Sequence, residues 1–413
     1  MRINAQAINV FIRGLTLGVR FSLILFLSIY LTPSELGLFG LISVSVIYSL
    51  YFVGLDFYTF SLRFLVGKPI ELWPRYLFSE GILFLSLYLI FLPALLLVFH
   101  FGLLPWWTSG FVALLIVLEH ISQEVSRLAI AAGRPVFSSI LTFTRQASWV
   151  LFIIPLMSIF PGFRTLEAVL SFWVFGSSLS VCLCAFYLWS MNWRGSLSNF
   201  NFGWIKKGVV VAIPLLLASL ALRGVTTFDR YFFEAFNSKD LLGAYSLYIG
   251  MAGAMLTFLD AGVFAFLYPK LIAQSKDSSW SGFRKTLNLL RQQTVMFSVL
   301  MFFGASALGP LIFYFLPYPI YFENWPLFIF VLIGVLFSIF GMMPHYALYA
   351  LSEDRVIVCS NVFGFLVFVI LALTLKDVTP YWSVVLAVIL SALGIWLSKE
   401  VGLRLVLRKV STC

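Results

Sequence analysis

Charge is what this chain has least of. Asp, Glu, Lys and Arg make up 11% of its 413 residues, against about 25% in an ordinary soluble domain. The hydrophobic fraction is 61% and the mean hydropathy +1.01, so the bilayer rather than water is the solvent. Cysteine is also scarce: Cys182, Cys184, Cys359 and Cys413 provide no disulfide framework. Three scattered histidines exclude any zinc-ligand spacing. No Gly-x4-Gly-Lys-Ser/Thr loop is present, which excludes ATP hydrolysis of the P-loop kind. No Ser–His–Asp constellation is legible, so the chain is expected not to be an enzyme and to need no cofactor. The first apolar run continues to about Leu31 without an A-x-A-like end, so no cleavable signal peptide is expected.

Long apolar windows are what the chain has in abundance. A helix needs about 20 such residues to cross the hydrocarbon core. Twelve windows qualify, at roughly 8–31, 38–60, 76–99, 105–128, 137–160, 166–189, 208–233, 243–267, 288–314, 325–350, 356–375 and 380–402. The expected fold class is therefore all-α integral membrane, with about twelve transmembrane helices. Aromatics reach 18%, including 45 Phe, a composition suited to lipid-facing surfaces. Pro93, Pro155, Pro214 and Pro344 fall inside windows, which membrane helices tolerate when neighbours re-satisfy the backbone.

The cations then give the sidedness. Of the 27 Lys and Arg, nineteen fall on one set of termini and loops, among them Arg63, Arg194, Lys206 and Arg284. Only Arg164, Lys239 and Lys376 fall on the other. By the positive-inside rule both termini are expected to be cytoplasmic. The net charge of +10 is explained by this orientation, and no nucleic-acid partner is expected.

Five arginines lie within the apolar windows, and four of them form matching pairs: Arg13 with Arg20, and Arg223 with Arg230 210 residues later. Seven residues turn a helix by about 700°, so each pair projects from nearly one face. The fifth is Arg145, in the fifth window. An arginine at the bilayer centre costs roughly 2.5–3.5 kcal/mol even on the mildest scale, and such residues normally face a bundle interior or a wet cavity. The acidic residues at comparable depth are Asp56, Asp260, Asp229, Glu119 and Glu124. Two readings stand for the first four: carriers of a coupling ion, H+ or Na+, or neutralisers of the arginines. Asp229 also reads as the ion-pair partner of its neighbour Arg230, and Arg13 as snorkelling to the cytoplasmic interface. Glu124 and Arg127, three apart on one helical face, read as an ion pair. His120 and His345 read as packing or hydrogen-bonding residues, and Gly14 with Gly18 as a close-packing motif.

The second half echoes the first. Gly37-x-Phe39 aligns with Gly243-x-Tyr245, Asp56 with Asp260, and Arg63 falls near Lys270. Six helices separate the copies, which makes a parallel repeat about an axis along the membrane normal. The expected lobes are 1–195 and 196–413. The segments YLTPSELGLFGL, GLDFYTFSLR, FDRYFF, LLGAYSLY and LYPKL resemble the polysaccharide-exporter branch of the multidrug/oligosaccharidyl-lipid/polysaccharide (MOP) superfamily. Their order and spacing carry the resemblance over nearly the whole chain, and the length is similar to that of Wzx-type O-antigen flippases.

That resemblance implies a multi-pass protein of the bacterial inner membrane, with two lobes, a cationic central cavity and alternating access. It implies an undecaprenyl-diphosphate-linked oligosaccharide as substrate, lipid as surroundings, and an O-antigen polymerase and chain-length regulator as partners. Arginine suits a diphosphate because its planar fork donates two parallel hydrogen bonds and stays charged. Arg20 and Arg223, near mid-helix, are the first candidates for this contact, followed by Arg13, Arg230 and Arg145. The rivals are an O-antigen polymerase or ligase, which would carry a substantial external loop, and a multidrug exporter, which would carry a more acidic cavity. The expected external loops are short. The sugar specificity is not encoded in any legible motif.

Overall fold

The computed structural model describes residues 2–193 and 200–411, with side chains over 7–193 and 200–408. Arg194 and the expected lobe boundary at 195/196 lie outside the described residues. Among those described, every regular element is a helix. This is what lipid demands of a spanning chain unless it closes a β-barrel, because no water is present to hydrogen-bond a bare backbone.

The helices are α1 Arg2–Tyr30, α2 Pro33–Gly54, α3 Tyr58–Val66, α4 Trp73–His100, α5 Ser109–Ala131, α6 Pro135–Phe143, α7 Val150–Ile159 and α8 Leu166–Trp189, then α9 Phe202–Phe236, α10 Lys239–Leu259, α11 Ala265–Lys276, α12 Trp280–Tyr314, α13 Ile320–Glu323, α14 Trp325–Ala350, α15 Asp354–Leu375 and α16 Pro380–Ser411. Among the described residues, eleven continuous helical stretches are long and apolar enough to cross a membrane. The remaining window is α5, whose 23 residues include Glu119, His120, Gln123 and Glu124 and are correspondingly more polar. Large apolar side chains face outward along these helices, among them Leu89, Phe186, Leu300 and Phe303. In water such a surface would aggregate; in lipid it is solvated.

Three of the expected windows are not plain α-helices. The second breaks after Gly54: Leu55 and Asp56 both take left-handed backbone, at φ 50° and 49°, before α3 begins. Each such non-glycine residue costs roughly 1–2 kcal/mol. The fifth window widens into a π-helical turn over Thr144–Ser148, and the eighth does the same over Asp260–Phe264. The start of α2 is held by a reciprocal capping box. Thr32 N donates to Glu35 Oε2 at 3.0 Å, and Glu35 N donates to Thr32 Oγ1 at 3.3 Å.

The contacts divide the chain into two compact units: Met1–Leu31 with Leu41–Ser219, and Thr32–Gly40 with Leu220–Cys413. In the first unit an aromatic cluster of Phe57, Phe60, Phe64, Tyr76 and Trp204 joins α3 and α4 to the start of α9. Gly208 lies against it, and a Cβ there would meet the Phe57 ring at 2.3 Å. In the second unit Tyr248, Phe313 and Phe328 pack together, and the Tyr248 hydroxyl donates to the Tyr321 carbonyl at 2.6 Å.

The two glycines aligned by the repeat meet within that second unit. A Cβ on Gly37 would lie 3.0 Å from Gly243 N, and one on Gly243 would lie 2.0 Å from the Pro33 carbonyl oxygen. The obstacle at Gly243 is backbone, which cannot rotate aside. Gly243→Ala is therefore expected to destabilise the fold by about 1–3 kcal/mol. Gly253→Ala, also in α10 but with nothing within 4 Å, is expected to be neutral or to gain up to about 1 kcal/mol of helix propensity. Thermal unfolding of the two variants in one detergent distinguishes them.

Candidate functional site

In the first unit α1 and the broken helix formed by α6, its π turn and α7 run side by side. Arg13 Nε donates to Ser139 Oγ at 3.2 Å, and Arg20 Nη1 donates to Gln146 Oε1 at 3.1 Å. Farther along, Tyr30 Oη donates to Ser158 Oγ at 2.9 Å. Ser139 and Gln146 are themselves seven apart, so the i, i+7 arginines of one helix are answered by i, i+7 polar residues of the other. Ser139 Oγ also donates to Asn9 Oδ1 at 2.5 Å. Both arginines remain exposed, and among the described residues no carboxylate lies within 4.0 Å of either. A guanidinium has five N–H donors, and each of these bonds uses one.

Arg145 is arranged differently. It is 6% exposed, and its Nη1 donates to the Glu119 carbonyl at 2.9 Å and lies 3.3 Å from Glu119 Oε2. The other oxygen, Oε1, accepts from Trp173 Nε1 and Ser177 Oγ, both at 2.9 Å. The carboxylate is thus held by α8 and by the π turn, with Arg145 as its counter-charge. Arg145 and Gln146, consecutive in the π turn, face different neighbours, α5 and α1. Such turns concentrate at functional positions. Lower in α5, Glu124 pairs with Arg127 at 2.5 Å, and Arg127 lies over the Tyr58 ring with its Cζ 3.6 Å from the centroid. Asp56, buried, sits at the left-handed break before α3.

In the second unit Arg223 is exposed on α9. One turn on, Thr226 Oγ1 donates to its carbonyl at 3.1 Å. Arg230 folds back, its Nη1 donating to the Thr226 carbonyl at 3.0 Å and lying 4.0 Å from Asp229 Oδ1. Asp229, buried, accepts from the Arg230 backbone N at 2.7 Å and from Tyr245 Oη at 3.1 Å. The Tyr245 ring stacks on Phe233 at 4.2 Å. Asp260 opens its π turn and accepts from Tyr346 Oη at 3.1 Å. Asp56 and Asp260, aligned by the repeat, therefore both sit where the helix departs from α geometry.

Sequence reasoning missed Ser139, Gln146, Trp173, Ser177, Tyr245 and Tyr346. The first two carried a signal, the same seven-residue spacing as the arginines. The others are single polar groups in apolar helices, and only the fold brings them to their carboxylates.

No protein-family model and no curated protein matches this chain. Solved structures do. An inward-facing multidrug resistance MATE family transporter of the MOP superfamily superposes with a TM-score of 0.72 at 13% identity, over 96% of this chain and 99% of that one. An outward-facing transporter of the same description gives 0.63 at 12%, over 99% and 96%. A MOP superfamily transporter from Pyrococcus furiosus, described as having a binding pocket of reverse polarity that suggests a different function, gives 0.61 at 12%, over 98% and 95%. The fold is that of the MOP superfamily transporters.

The MOP fold supplies the backbone; the polar residues described above belong to this chain. Within it the Glu119–Arg145 pair is structural in its energetics. Removing one partner of a buried pair leaves an uncompensated charge and costs about 3–5 kcal/mol, whereas replacing both by apolar residues is often neutral. Glu119→Ala is expected to lower the melting temperature sharply, and Glu119→Leu with Arg145→Met to recover most of the loss. A single variant as stable as the parent would contradict this account of the pair.

Proposed function

We propose that this chain moves an undecaprenyl-diphosphate-linked O-antigen or polysaccharide repeat unit from the cytoplasmic to the periplasmic leaflet of the bacterial inner membrane. Transport proceeds by alternating access, and the substrate leaves chemically unchanged. The MOP transporter fold supports the alternating-access part, since the solved neighbours include inward-facing and outward-facing transporters. The lipid-linked anion rests on one observation: Arg13 and Arg20 stand exposed in an apolar helix, each bonded to a neutral acceptor instead of a carboxylate.

A guanidinium kept away from carboxylates has donors to offer a diphosphate, which is the costly part of the substrate to bring through hydrocarbon. Arg223 supplies the corresponding exposed charge in the second unit, with Arg230 beside it. Arg145 acts at one remove, as the neighbour that sets Gln146 against Arg20. We assign the coupling ion, H+ or Na+, to Asp56 and Asp260, because both occupy breaks in helix geometry. Glu119 and Asp229 are already engaged by several donors, so their part is gating through the arginines they hold.

Two of the solved neighbours are multidrug resistance transporters, which favours a multidrug exporter. Exposed arginines run against the more acidic cavity expected of such an exporter, and the Pyrococcus furiosus protein is an instance of this fold with a pocket described as reversed in polarity. For a polymerase or ligase the chain would need a long external segment. The connections expected outside, such as Tyr30 to Pro33 and Phe236 to Lys239, are a few residues long.

Each hydrogen bond from a charged donor is worth about 1.5–3 kcal/mol, or roughly 10–100-fold in binding. In cells expressing the variants at matched membrane levels, Arg20→Ala and Arg223→Ala are each expected to reduce surface polysaccharide. The double variant is expected to abolish it, and Arg20→Lys to retain part. Full surface polysaccharide in the double variant would overturn the assignment of these arginines.

A further inference from the structure

The second unit carries an aromatic surface that the arginine chemistry does not use. Phe264, at the end of the π turn, and Tyr268 of α11 meet Tyr346 and Tyr349 of α14 in one continuous band. Ring centroids lie 5.0 Å apart for Phe264 and Tyr346, 4.9 Å for Tyr268 and Tyr346, and 5.7 Å for Tyr268 and Tyr349. The Tyr346 hydroxyl donates to Asp260 Oδ1 at 3.1 Å, and the Tyr268 and Tyr349 hydroxyls pair with each other. With 45 Phe against 17 Tyr, the chain has phenylalanine in plenty for plain packing. Three tyrosines joined through Tyr268 bring hydroxyls that apolar packing does not need and that cost free energy unless bonded.

Helical spacing tells which side of the crossing the band is on. Phe258 and Phe266, 55% and 61% exposed, mark an apolar outer face suited to lipid. Asp260 and Tyr268 each follow one of them by two residues, a turn of about 200°, and so project from the opposite side. Asp260 is exposed there, and the charge of Arg223, itself exposed on α9, acts on it. An exposed carboxylate and guanidinium within apolar crossings face a bundle interior or a wet cavity rather than acyl chains. The tyrosine bonded to that carboxylate borders the same wet side, which sets the band apart from an interfacial aromatic belt. Tyr349 is 41% exposed, and Tyr268 and Tyr346 are half-buried, so the rings are reachable as well as packed.

We propose that this band is a saccharide subsite, on which a sugar ring of the carried molecule stacks against Tyr268, Tyr346 and Tyr349; it rests on the reading of the substrate as a lipid-linked saccharide. A pyranose has an apolar face of C–H bonds and a rim of hydroxyls. The C–H face is complementary to the negative face of an aromatic ring, and the rim needs groups that both donate and accept. The bond to Asp260 turns the Tyr346 proton away and leaves its oxygen to accept from a sugar hydroxyl. The Tyr268–Tyr349 pair keeps one spare proton and several lone pairs for the same rim. A diphosphate is disfavoured here, because it would meet Asp260. A lipophilic cation would find that carboxylate already under the charge of Arg223, and a hydrocarbon chain would have no use for the hydroxyls.

Contact between ring and sugar can be read directly. Single repeat units are released from the host bacterium's surface polysaccharide by partial acid hydrolysis, freed of lipid and phosphate, and added to full-length protein in phosphatidylcholine nanodiscs. Aromatic protons, which the lipid lacks, are saturated, and transfer to the sugar C–H protons is measured by NMR. Transfer is expected in the parent, and a roughly fivefold reduction in Tyr268→Ala and in Tyr346→Ala. Tyr349→Ala truncates an exposed side chain near the end of α14, with little risk to folding, and is expected to reduce transfer roughly threefold. Tyr268→Phe keeps the ring and retains most of the transfer. Tyr314→Ala, at the exposed end of α12, changes nothing, and pyrophosphate, a probe of the arginines alone, does not compete. No transfer in the parent, equal transfer in the parent and the folded alanine variants, or displacement by pyrophosphate would overturn the subsite. None of these results bears on the sidedness of the lipid-linked unit in cells, so the subsite and the proposed function fail separately.

Discussion

Everything distinctive about this molecule follows from the free-energy cost of holding a guanidinium in hydrocarbon. Helices made of Leu, Phe, Ile and Val satisfy their own backbones and need little else. A charged side chain among them must find a partner, reach water or wait for a ligand. The arginines of this chain meet that demand in different ways. Arg145 is sealed against Glu119, and Arg230 is folded onto its own helix beside Asp229. Arg13 and Arg20 are given neutral acceptors and left accessible. The arginines therefore differ in partner chemistry, some held by carboxylates and some by neutral acceptors.

The internal repeat shows the same constraint working on backbone geometry. Asp56 and Asp260 occupy matching places, and both fall where the α-helix is interrupted, by left-handed residues in one copy and a π turn in the other. Such interruptions release backbone groups that a continuous helix would occupy, which is where membrane transporters form ion contacts. The copies have also diverged. Arg20 reaches a neutral amide on a neighbouring helix, while its counterpart Arg230 turns back on α9. The pairs agree in spacing but not in use, so each unit contributes charge in its own way.

The helical architecture was legible almost throughout. Lipid requires about 20 apolar residues per crossing, and hydropathy registers that requirement directly. The window at 105–128 was legible too, although Glu119, His120, Gln123 and Glu124 make α5 more polar than the other crossings. The helix breaks were invisible, because a π turn keeps the local apolar pattern and needs no special residue. Arg13 and Arg20 announced themselves by cost, whereas their partners Ser139 and Gln146 were missed although they share the seven-residue spacing. The tyrosine band of the second unit was missed as well. Only the packing of α11 on α14 joins Tyr268 to Tyr346 and Tyr349, and that is long-range information.

The proposed function has this chain carry a lipid-linked saccharide across the membrane without altering it. The most direct measurement is the sidedness of the lipid-linked repeat unit in cells lacking the protein, made with an impermeant glycosidase on spheroplasts before and after lysis. The account predicts repeat units protected until lysis, and exposed outside again once the protein is re-expressed. Single repeat units already open to the enzyme on intact spheroplasts of the deletion strain would contradict it.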